Sequence, residues 1–198
     1  MSASVLESLR SANAAEGVEP APATDMPTLY VARDRLLNLA RLLRDDAALQ
    51  FVFLADVTAV DLFPADPRFE VVYHLASLGE SYRAAGANAA VPPSRLRIKV
   101  RVSANDARMP SVTSIWPTAS WPEREIFDLF GLTFDGHPDL RRILMPEDWE
   151  GYPLRKDSPV QIRKDTVSWS PIQMSPEEFA ENIRRQRERA VHAGDKRG

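Results

Sequence analysis

The residue types that could do chemistry are concentrated in one stretch, Gly136 to Pro159. Its Gly-His-Pro-Asp run sets His137 two residues before Asp139, with Asp135 and Asp128 upstream. Imidazole and carboxylate groups bind divalent metals, but this spacing matches no ligand motif with a mechanism behind it. Two interpretations stay open. His137 is a turn residue that hydrogen-bonds a neighbour, or the chain is a small metal-dependent hydrolase that uses His137, Asp139 and Asp128.

A group of carboxylates is the second candidate for chemistry. Glu123, Glu125 and Asp128 fall within one predicted helix, which also carries Arg124. Ion pairing at a surface or an interface explains such i, i+3 neighbours more simply than acid–base catalysis does. The sequence contains no Gly-rich dinucleotide- or phosphate-binding motif and no nucleophile elbow. We therefore expect no catalytic site in this chain.

Composition narrows the class of protein. The chain has 198 residues, 44% of them hydrophobic and 27% charged, and a net charge of -3. This balance argues against sequence-independent nucleic-acid binding, which needs a dominant basic surface. With no cysteine, the chain lacks a thiolate nucleophile and the Cys ligands of iron–sulfur clusters. No apolar run approaches the roughly 20 residues of a membrane span, so we expect a soluble or peripheral cytoplasmic protein.

Two segments have the spacing of amphipathic helices. Apolar side chains recur at helical intervals between residues 33 and 46. They are Leu36, Leu39, Ala40 and Leu43. A second helix is predicted from Trp121 to Phe130, with Ser120 as N-cap, Glu123 as its capping-box partner and Gly131 as the C-terminal stop.

Three segments have strand character. Residues 51–56 and 69–76 are apolar runs of strand length, and residues 95–102 alternate strictly between polar and apolar. The apolar face of the third segment comprises Leu96, Ile98, Val100 and Val102, and the opposite face comprises Arg95, Arg97, Lys99 and Arg101. We interpret the basic face as solvated. These patterns predict a compact α+β domain over residues 28–134, with a small mixed sheet and packed helices.

Both ends of the chain lack such patterns. Residues 1–27 are rich in Ala, Ser and Pro, which predicts a flexible N-terminal arm. Over residues 135–198, prolines recur too often for helices or central strands, which predicts an extended, partner-wrapping C-terminal segment. Only the run beginning at Ser175, predicted as a cap, has helical spacing. For residues 135–153, folding back and partner binding stay open, and for residues 154–198 we favour a partner.

Arginine and aromatic residues interleave with carboxylates in this C-terminal segment, and those types dominate interface hot spots. We expect the following residues to contact a partner or to hold the junction between domain and tail: Glu123, Arg124, Asp128, His137, Asp139, Arg141, Arg142, Glu147, Asp148, Trp149, Tyr152, Arg155 and Lys156. If Arg141 or Arg142 pairs with a buried carboxylate, its replacement by Ala should cost about 3–5 kcal/mol. An exposed pair should contribute less than about 1 kcal/mol.

The run from Met109 to Pro159, MPSVTSIWPTASWPEREIFDLFGLTFDGHPDLRRILMPEDWEGYPLRKDSP, resembles the C subunit of proton-translocating NADH-quinone oxidoreductase (respiratory complex I). Weaker similarity lies in FLADVTAVDLFP, FEVVYHLAS and RLRIKVRV. Ser158 departs from the family pattern, in which Tyr is expected. That change removes an aromatic anchor at this position.

The resemblance implies a cofactor-free subunit of the peripheral arm that assembles with the D subunit near the quinone module. It would support electron transfer from NADH to quinone coupled to proton translocation, with flavin and iron–sulfur clusters carried by partner subunits. It would lie peripherally on the cytoplasmic face of the cell inner membrane. An equivalent subunit of a related membrane-bound hydrogenase or dehydrogenase complex remains the alternative, because the chain holds no electron-donor site.

Overall fold

A mixed five-stranded sheet organises the first part of the chain. The computed structural model describes residues 16–22, 25–78, 94–158, 175, 177–181 and 183–185, and it divides the chain into the units Met1–Val160 and Gln161–Gly198. The strands of the sheet are β1 (Val18–Pro20), β2 (Thr28–Val31), β3 (Phe53–Asp61), β4 (Phe69–Ser77) and β5 (Ser94–Val102). Their order is β1-β2-β5-β4-β3, with β2 and β5 parallel and the other neighbours antiparallel.

Two helices complete the core of this unit. Helix α1 (Leu36–Asp45) buries the four apolar residues that its periodicity predicted, and helix α2 (Ser120–Phe130) packs against β3. A short parallel pair, β6 (Arg108–Pro110) with β7 (Thr133–Asp135), joins the segments before and after α2. The predicted α+β architecture with a mixed sheet and packed helices is confirmed.

Strand β5 separates the two faces of the sheet as its alternation predicted. Its four apolar side chains are at most 2% exposed and join the core. Three of the four cations of the opposite face are paired rather than simply solvated: Lys99 lies 2.7 Å and Arg101 3.4 Å from Glu70, and Arg97 lies 2.6 Å from Asp25. The fourth, Arg95, is exposed. One face of the sheet is therefore an apolar core layer, and the other is a polar layer crossed by ion pairs.

The structure differs from two boundaries predicted from the sequence, the end of the N-terminal arm and the end of the compact domain. Strand β1 lies inside the predicted flexible arm of residues 1–27, yet it pairs with β2 and buries Val18. The compact unit extends to Val160 instead of ending at residue 134, because residues 135–158 fold back onto it. Those residues are held by hydrogen bonds between side chains and main chain, which leave no hydrophobic periodicity in the sequence.

The C-terminal end of α2 was predicted correctly from the sequence, but its N-terminal end was not. The helix stops at Gly131, whose φ of 73° is left-handed, as expected of a glycine C-cap. At its start, a 3-10 turn over Pro117–Ala119 runs directly into the helix, and no side chain caps it. The predicted capping box of Ser120 and Glu123 is wrong, because the Glu123 side chain points into the core.

In the second unit, residues 177–181 and 183–185 are helical. The predicted cap is confirmed: Oγ of Ser175 accepts the N–H of Glu178 at 3.1 Å, and the Glu178 carboxylate accepts the N–H of Ser175 at 3.0 Å. The predicted paths of residues 1–15, 159–174 and 186–198 lie outside the described residues. Within the part of the chain that the structure describes, no helix has the length and apolar character needed to cross a bilayer.

Candidate partner-binding surface

The ribbon, defined as residues 136–158, is wound around one buried carboxylate. Asp128 of α2 has no exposed surface. Its Oδ2 accepts the backbone N–H groups of residues 143–145 at 2.7–3.0 Å, and its Oδ1 accepts Nη1 of Arg142 at 2.8 Å. Burial alone raises the pKa of Asp128, but these donors outweigh burial and leave the pKa below its ordinary value. The carboxylate is charged at neutral pH and sets the turn of the ribbon.

Two arginines tie the main-chain carbonyls of the ribbon together. Arg142 donates from Nη2 to the carbonyl oxygens of Trp149 and Gly151, at 3.0 and 3.2 Å. Arg124, on α2, donates to the carbonyls of Arg141 and Arg142 at 3.1 and 3.0 Å. A guanidinium carries several donors in a rigid plane, so one side chain closes two turns of irregular backbone.

Alternating arginine and aromatic side chains connect the ribbon to the sheet. The Arg155 guanidinium lies 4.5 Å from the ring centroid of Tyr152 and 5.3 Å from that of Phe69 on β4. Arg68 lies 5.1 Å from the same Phe69 ring. Arg155 also donates from Nε to the carbonyl of Phe130, the last residue of α2, at 2.6 Å. These cation–π contacts and this hydrogen bond hold the ribbon against the domain.

Gly131 makes the close approach of the ribbon possible. A Cβ at this position would overlap the Tyr152 ring and would lie 2.6 Å from Nη2 of Arg155. The φ of 73° independently favours glycine. The residue that ends the helix is therefore also the residue that leaves room for the ribbon.

Arg68 fastens the far end of the ribbon to the sheet. Its guanidinium donates to both carboxylate oxygens of Asp61 at 2.9 and 2.8 Å, and to both of Asp157 at 2.8 and 2.6 Å. Asp61 also accepts the N–H of Lys156 at 2.9 Å. The hydrogen bonds with Arg68 lower the pKa of Asp61, and those with Asp61 and Asp157 raise the pKa of Arg68. All three groups stay ionised across the physiological range.

His137 is a turn residue. Its Nδ1 accepts the N–H of Asp139 at 3.0 Å, so the ring proton is assigned to Nε2, which lies 3.0 Å from the carbonyl of Ser120. Asp139 pairs with exposed Arg141 at 2.7 Å, and the oxygens of Asp128 are occupied by other donors. Among the described residues, no three His, Asp or Glu side chains come together to hold a metal. The metal site proposed for a hydrolase is therefore not assembled.

Comparison with known proteins decides the family. The family model described as "Respiratory-chain NADH dehydrogenase, 30 Kd subunit" matches residues 29–164, which is more than half of the chain. The chain belongs to this family.

Two relatives show how much of this chain the similarity covers. The C subunit of NADH-quinone oxidoreductase from Roseiflexus sp. (strain RS-1) is 46% identical over 158 residues, which cover 80% of this chain and 84% of the relative. The C subunit from Citrifermentans bemidjiense is 44% identical over 134 residues, covering 68% of this chain and 74% of the relative. The resemblance found in the sequence is confirmed.

Solved structures agree with the fold of the 30 Kd subunit family. The chain "Nqo5 of the trypsin-resistant fragment (1-134) in P63 form" has 35% identity and a TM-score of 0.53, covering 71% of this chain and 100% of that one. A chain of the membrane-bound sulfane sulfur reductase, an archaeal respiratory membrane complex, has 25% identity and a TM-score of 0.59, covering 78% and 86%.

The residues predicted to contact a partner fall into three groups. Those exposed are Asp139, Arg141, Glu147, Asp148 and Lys156. Those half-buried, including several that hold the ribbon, are Arg124, His137, Arg142, Trp149, Tyr152 and Arg155. Those without exposed surface are Glu123 and Asp128. The structure excludes a partner contact for the last two, because neither carboxylate is accessible to another chain, whereas Asp128 holds the junction between domain and tail.

Glu123 links α2 to the segment before it. Its Oε2 accepts the hydroxyl of Ser111 at 2.6 Å, and its Oε1 accepts the N–H of Val112 at 2.8 Å. Burial raises the pKa of Glu123 to about 7, and these two hydrogen bonds offset the shift only in part. The side chain is a structural acid in the core, close to half protonated at neutral pH.

Three large apolar residues at the ribbon were not in the predicted set. Trp121, Leu144 and Leu154 are 68%, 60% and 52% exposed. A signal existed, since apolar residues stand among charges and prolines where no core is predicted. No pattern in the sequence indicated that Arg68 pairs with Asp61 and Asp157, because residues 68 and 157 are 89 positions apart.

Proposed function

We propose that this chain is a structural subunit of an NADH-quinone oxidoreductase that assembles with the D subunit near the quinone module. In that position it supports electron transfer from NADH to quinone and the coupled proton translocation. It binds no cofactor itself, and the flavin and iron–sulfur clusters belong to partner subunits. It lies peripherally on the cytoplasmic face of the inner membrane. Membership of the 30 Kd subunit family supports the proposal.

The division between inward and outward side chains of the ribbon carries the proposal. The ribbon side chains Arg142 and Arg155 point inward and bind Asp128 and the carbonyl of Phe130, both on α2. Leu144 of the ribbon and Trp121 of α2 remain mostly exposed beside charged residues. Exposed large apolar side chains with a polar rim mark protein–protein interaction sites. The ribbon is therefore suited to present apolar anchors to a neighbouring subunit.

The internal contacts also make the ribbon a prepared binding surface. Its turns are closed by a buried carboxylate and by guanidinium groups before any partner arrives. A preorganised surface loses less conformational entropy on association than a flexible peptide does. An isolated chain with an ordered ribbon is thus consistent with assembly as its main role.

Leu144→Glu tests the proposal. It places a charge in the apolar part of the ribbon and keeps the backbone N–H that residue 144 donates to Asp128. Ala104→Glu adds the same charge at an exposed position outside the ribbon. The complex would be purified in mild detergent from cells that express each variant as the sole copy. We expect Leu144→Glu to lower the recovered complex and its NADH:quinone activity by about tenfold or more. Ala104→Glu should change both by less than about twofold.

Three outcomes would overturn the proposal. Equal recovery of the complex with both variants would show that the ribbon is not an interface. Oxidation of NADH by the isolated, folded chain would show that it is an enzyme in its own right. Recovery of the chain only as a free monomer under conditions that preserve the complex would remove the assembly role.

A related respiratory complex is the second candidate. The fold similarity to a chain of the sulfane sulfur reductase complex supports it, because that protein belongs to a respiratory membrane complex whose name specifies another reaction. Mass spectrometry of the co-purified subunits separates the two candidates. NADH- and flavin-binding subunits among them support the first, and hydrogenase or sulfur-reductase subunits support the second.

A further inference from the structure

We propose that the outer edge of β3 docks an extended segment of another subunit, which adds a strand to the sheet and places a Lys or Arg beside Asp56. This second interface is distinct from the apolar anchors of the ribbon. It goes beyond the proposed function, on which it rests for the presence of neighbouring subunits.

The two edges of the sheet are unequal. One edge is β1, which has three residues and includes Pro20, a residue without an N–H to offer. The other edge is β3, which has nine residues and no proline, and whose register with β4 shifts once, between Leu54 and Asp56. In an edge strand, alternate residues direct their N–H and C=O groups outward. Within the described residues, no main-chain hydrogen bond links Phe53–Asp61 to any segment other than β4.

Side chains on β3 extend both faces of the sheet to this edge. Leu54, Val57 and Ala59 are buried toward the core. On the other face, Phe53 and Val60 are 46% and 41% exposed. A long edge with exposed apolar groups is a site at which other chains pair, and native proteins normally cover or block it. Added strands bind through main-chain hydrogen bonds, with side chains at alternate positions setting specificity.

Charge identifies the chemistry of the occupant. Asp56 is exposed in the middle of β3 and makes no ion pair with any described residue. By contrast, Asp25 pairs with Arg97, and Glu70 pairs with Lys99. A cation directly across from Asp56 would be stabilising, as cross-strand pairs of opposite charge are. The occupant is therefore an extended segment with a Lys or Arg flanked by apolar residues.

The neighbour of Asp56 on the inner side does not supply that cation. His74 of β4 lies opposite Asp56 in the strand register. Burial and the nearby Arg97 lower the pKa of His74, and its Nε2 accepts a hydrogen bond from Nε of Arg97 at 3.1 Å. The imidazole is therefore neutral at physiological pH and does not form an ion pair with Asp56.

A second copy of this chain fits the edge less well. Strand β3 reads FLADVTAVD and contains no Lys or Arg. A symmetric pair of β3 strands would bring two Asp56 carboxylates to the same seam and supply no cation. The edge is thus better matched to a different subunit than to itself.

Hydrogen–deuterium exchange provides the first test. The full-length chain alone and the intact purified complex would be compared at the amides of β3, with those of β1 as internal reference. We expect exchange to slow by about tenfold or more in the complex at the β3 amides that face outward and do not bond to β4. Equal exchange at β3 in both samples would overturn the proposal. Protection of these outward-facing amides in the isolated monomer would also overturn it, since the edge would then be covered by this chain itself.

Charge reversal at the two edges provides the second test. Asp56→Lys and Glu19→Lys both replace an exposed carboxylate, the first on β3 and the second on β1. We expect Asp56→Lys to reduce incorporation into the complex by about tenfold, and Glu19→Lys to change it by less than about twofold. Equal effects of the two variants would overturn the proposal. So would a β3-dependent homodimer of the isolated chain, because it assigns the edge to a second copy.

The two proposals fail in different ways. If the chain does not enter a multi-subunit complex at all, the proposed function fails. If the chain is present in the complex and Leu144→Glu removes it, but β3 exchange is unchanged, only the edge-strand inference fails.

Discussion

Residues 28–134 and the ribbon lie in one compact unit, but different interactions hold them. In the first region, buried apolar side chains from the sheet, α1 and α2 form a continuous core. In the ribbon, which the structure describes throughout, no side chain is buried, and only Leu140 and Met145 pack partly against that core. Its order comes instead from Asp128, Arg142 and Arg155, which bind main-chain atoms.

This difference has consequences for how each region responds to change. Hydrophobic burial is spread over many residues and is non-directional, so it tolerates volume-conserving substitutions. The ribbon depends on a few charged groups whose partners are fixed in direction and have little access to water. Removal of one group leaves its partners buried and unsatisfied. Single substitutions where the ribbon contacts residues 28–134 should therefore show whether hydrophobic burial or these polar contacts dominate.

The largest effect is expected for Arg142→Ala. Asp128 would keep its buried charge but lose the ion pair that it makes within the described residues, which costs about 3–5 kcal/mol. Arg141→Ala is the matched control, because its pair with Asp139 is exposed and should contribute less than about 1 kcal/mol. Urea denaturation and hydrogen exchange over residues 140–158 measure the two costs. Similar losses in both variants would show that the buried carboxylate does not organise the ribbon.

Glu123→Gln should change the pH dependence of stability. The pKa of Glu123 is about 7 in the folded chain, against an ordinary value of 4.5, so the folded state binds the proton more tightly than the unfolded state. Stability from this group is therefore fully present below about pH 4.5 and is lost as the pH rises through about 7. The shift corresponds to about 3 kcal/mol.

Denaturation with urea at several values between about pH 5 and pH 8 measures this loss. Glutamine keeps an acceptor for the N–H of Val112 and does not titrate, so the variant should lose the pH-dependent fall. An unchanged fall in the variant would assign the titration to another group. The result bears on the core region, because the carboxylate of Glu123 binds Ser111 and Val112, which precede α2.

Gly131→Ala and Gly136→Ala separate backbone strain from the close approach of the ribbon. Both glycines have positive φ, 73° and 84°, where a side chain costs about 1–2 kcal/mol. Only at Gly131 would the Cβ meet Tyr152 and Arg155, whereas nothing lies within 4 Å at Gly136. We expect Gly131→Ala to lose about 2 kcal/mol more than Gly136→Ala. Equal losses of stability in thermal denaturation would show that Tyr152 and Arg155 move away from the added Cβ at residue 131 without measurable strain.

The smallest effect is expected for Ser158→Ala. The Ser158 hydroxyl donates to the carbonyl of Tyr152 at 2.5 Å and closes the last turn of the ribbon. Its loss should cost about 1 kcal/mol. Ser114→Ala, at an exposed position, should change stability by less than about 0.5 kcal/mol. If the two variants are equally stable in urea, the Ser158 hydroxyl does not contribute to holding the ribbon.

Much of the core was predictable from local patterns. The burial of α1 and the two faces of β5 follow from helical and strand periodicity, and Gly131 follows from the demands of a left-handed C-cap. The ribbon was predictable only in composition. Asp128 had the pattern of a surface charge on an amphipathic helix, because its donors come from residues 142–145 and have no periodic relation to it.

By itself, the amino-acid sequence determined the α+β class, the helix and strand faces and the family, because each depends on residue type and spacing along the chain. Tertiary structure alone decided that Glu123 and Asp128 are buried and that Arg68 clamps Asp157. It also decided that β3 is an edge of the sheet. The physical reason is that the role of a charged side chain depends on the groups that folding brings close to it. The number of residues between two groups along the chain does not fix the distance between them in space.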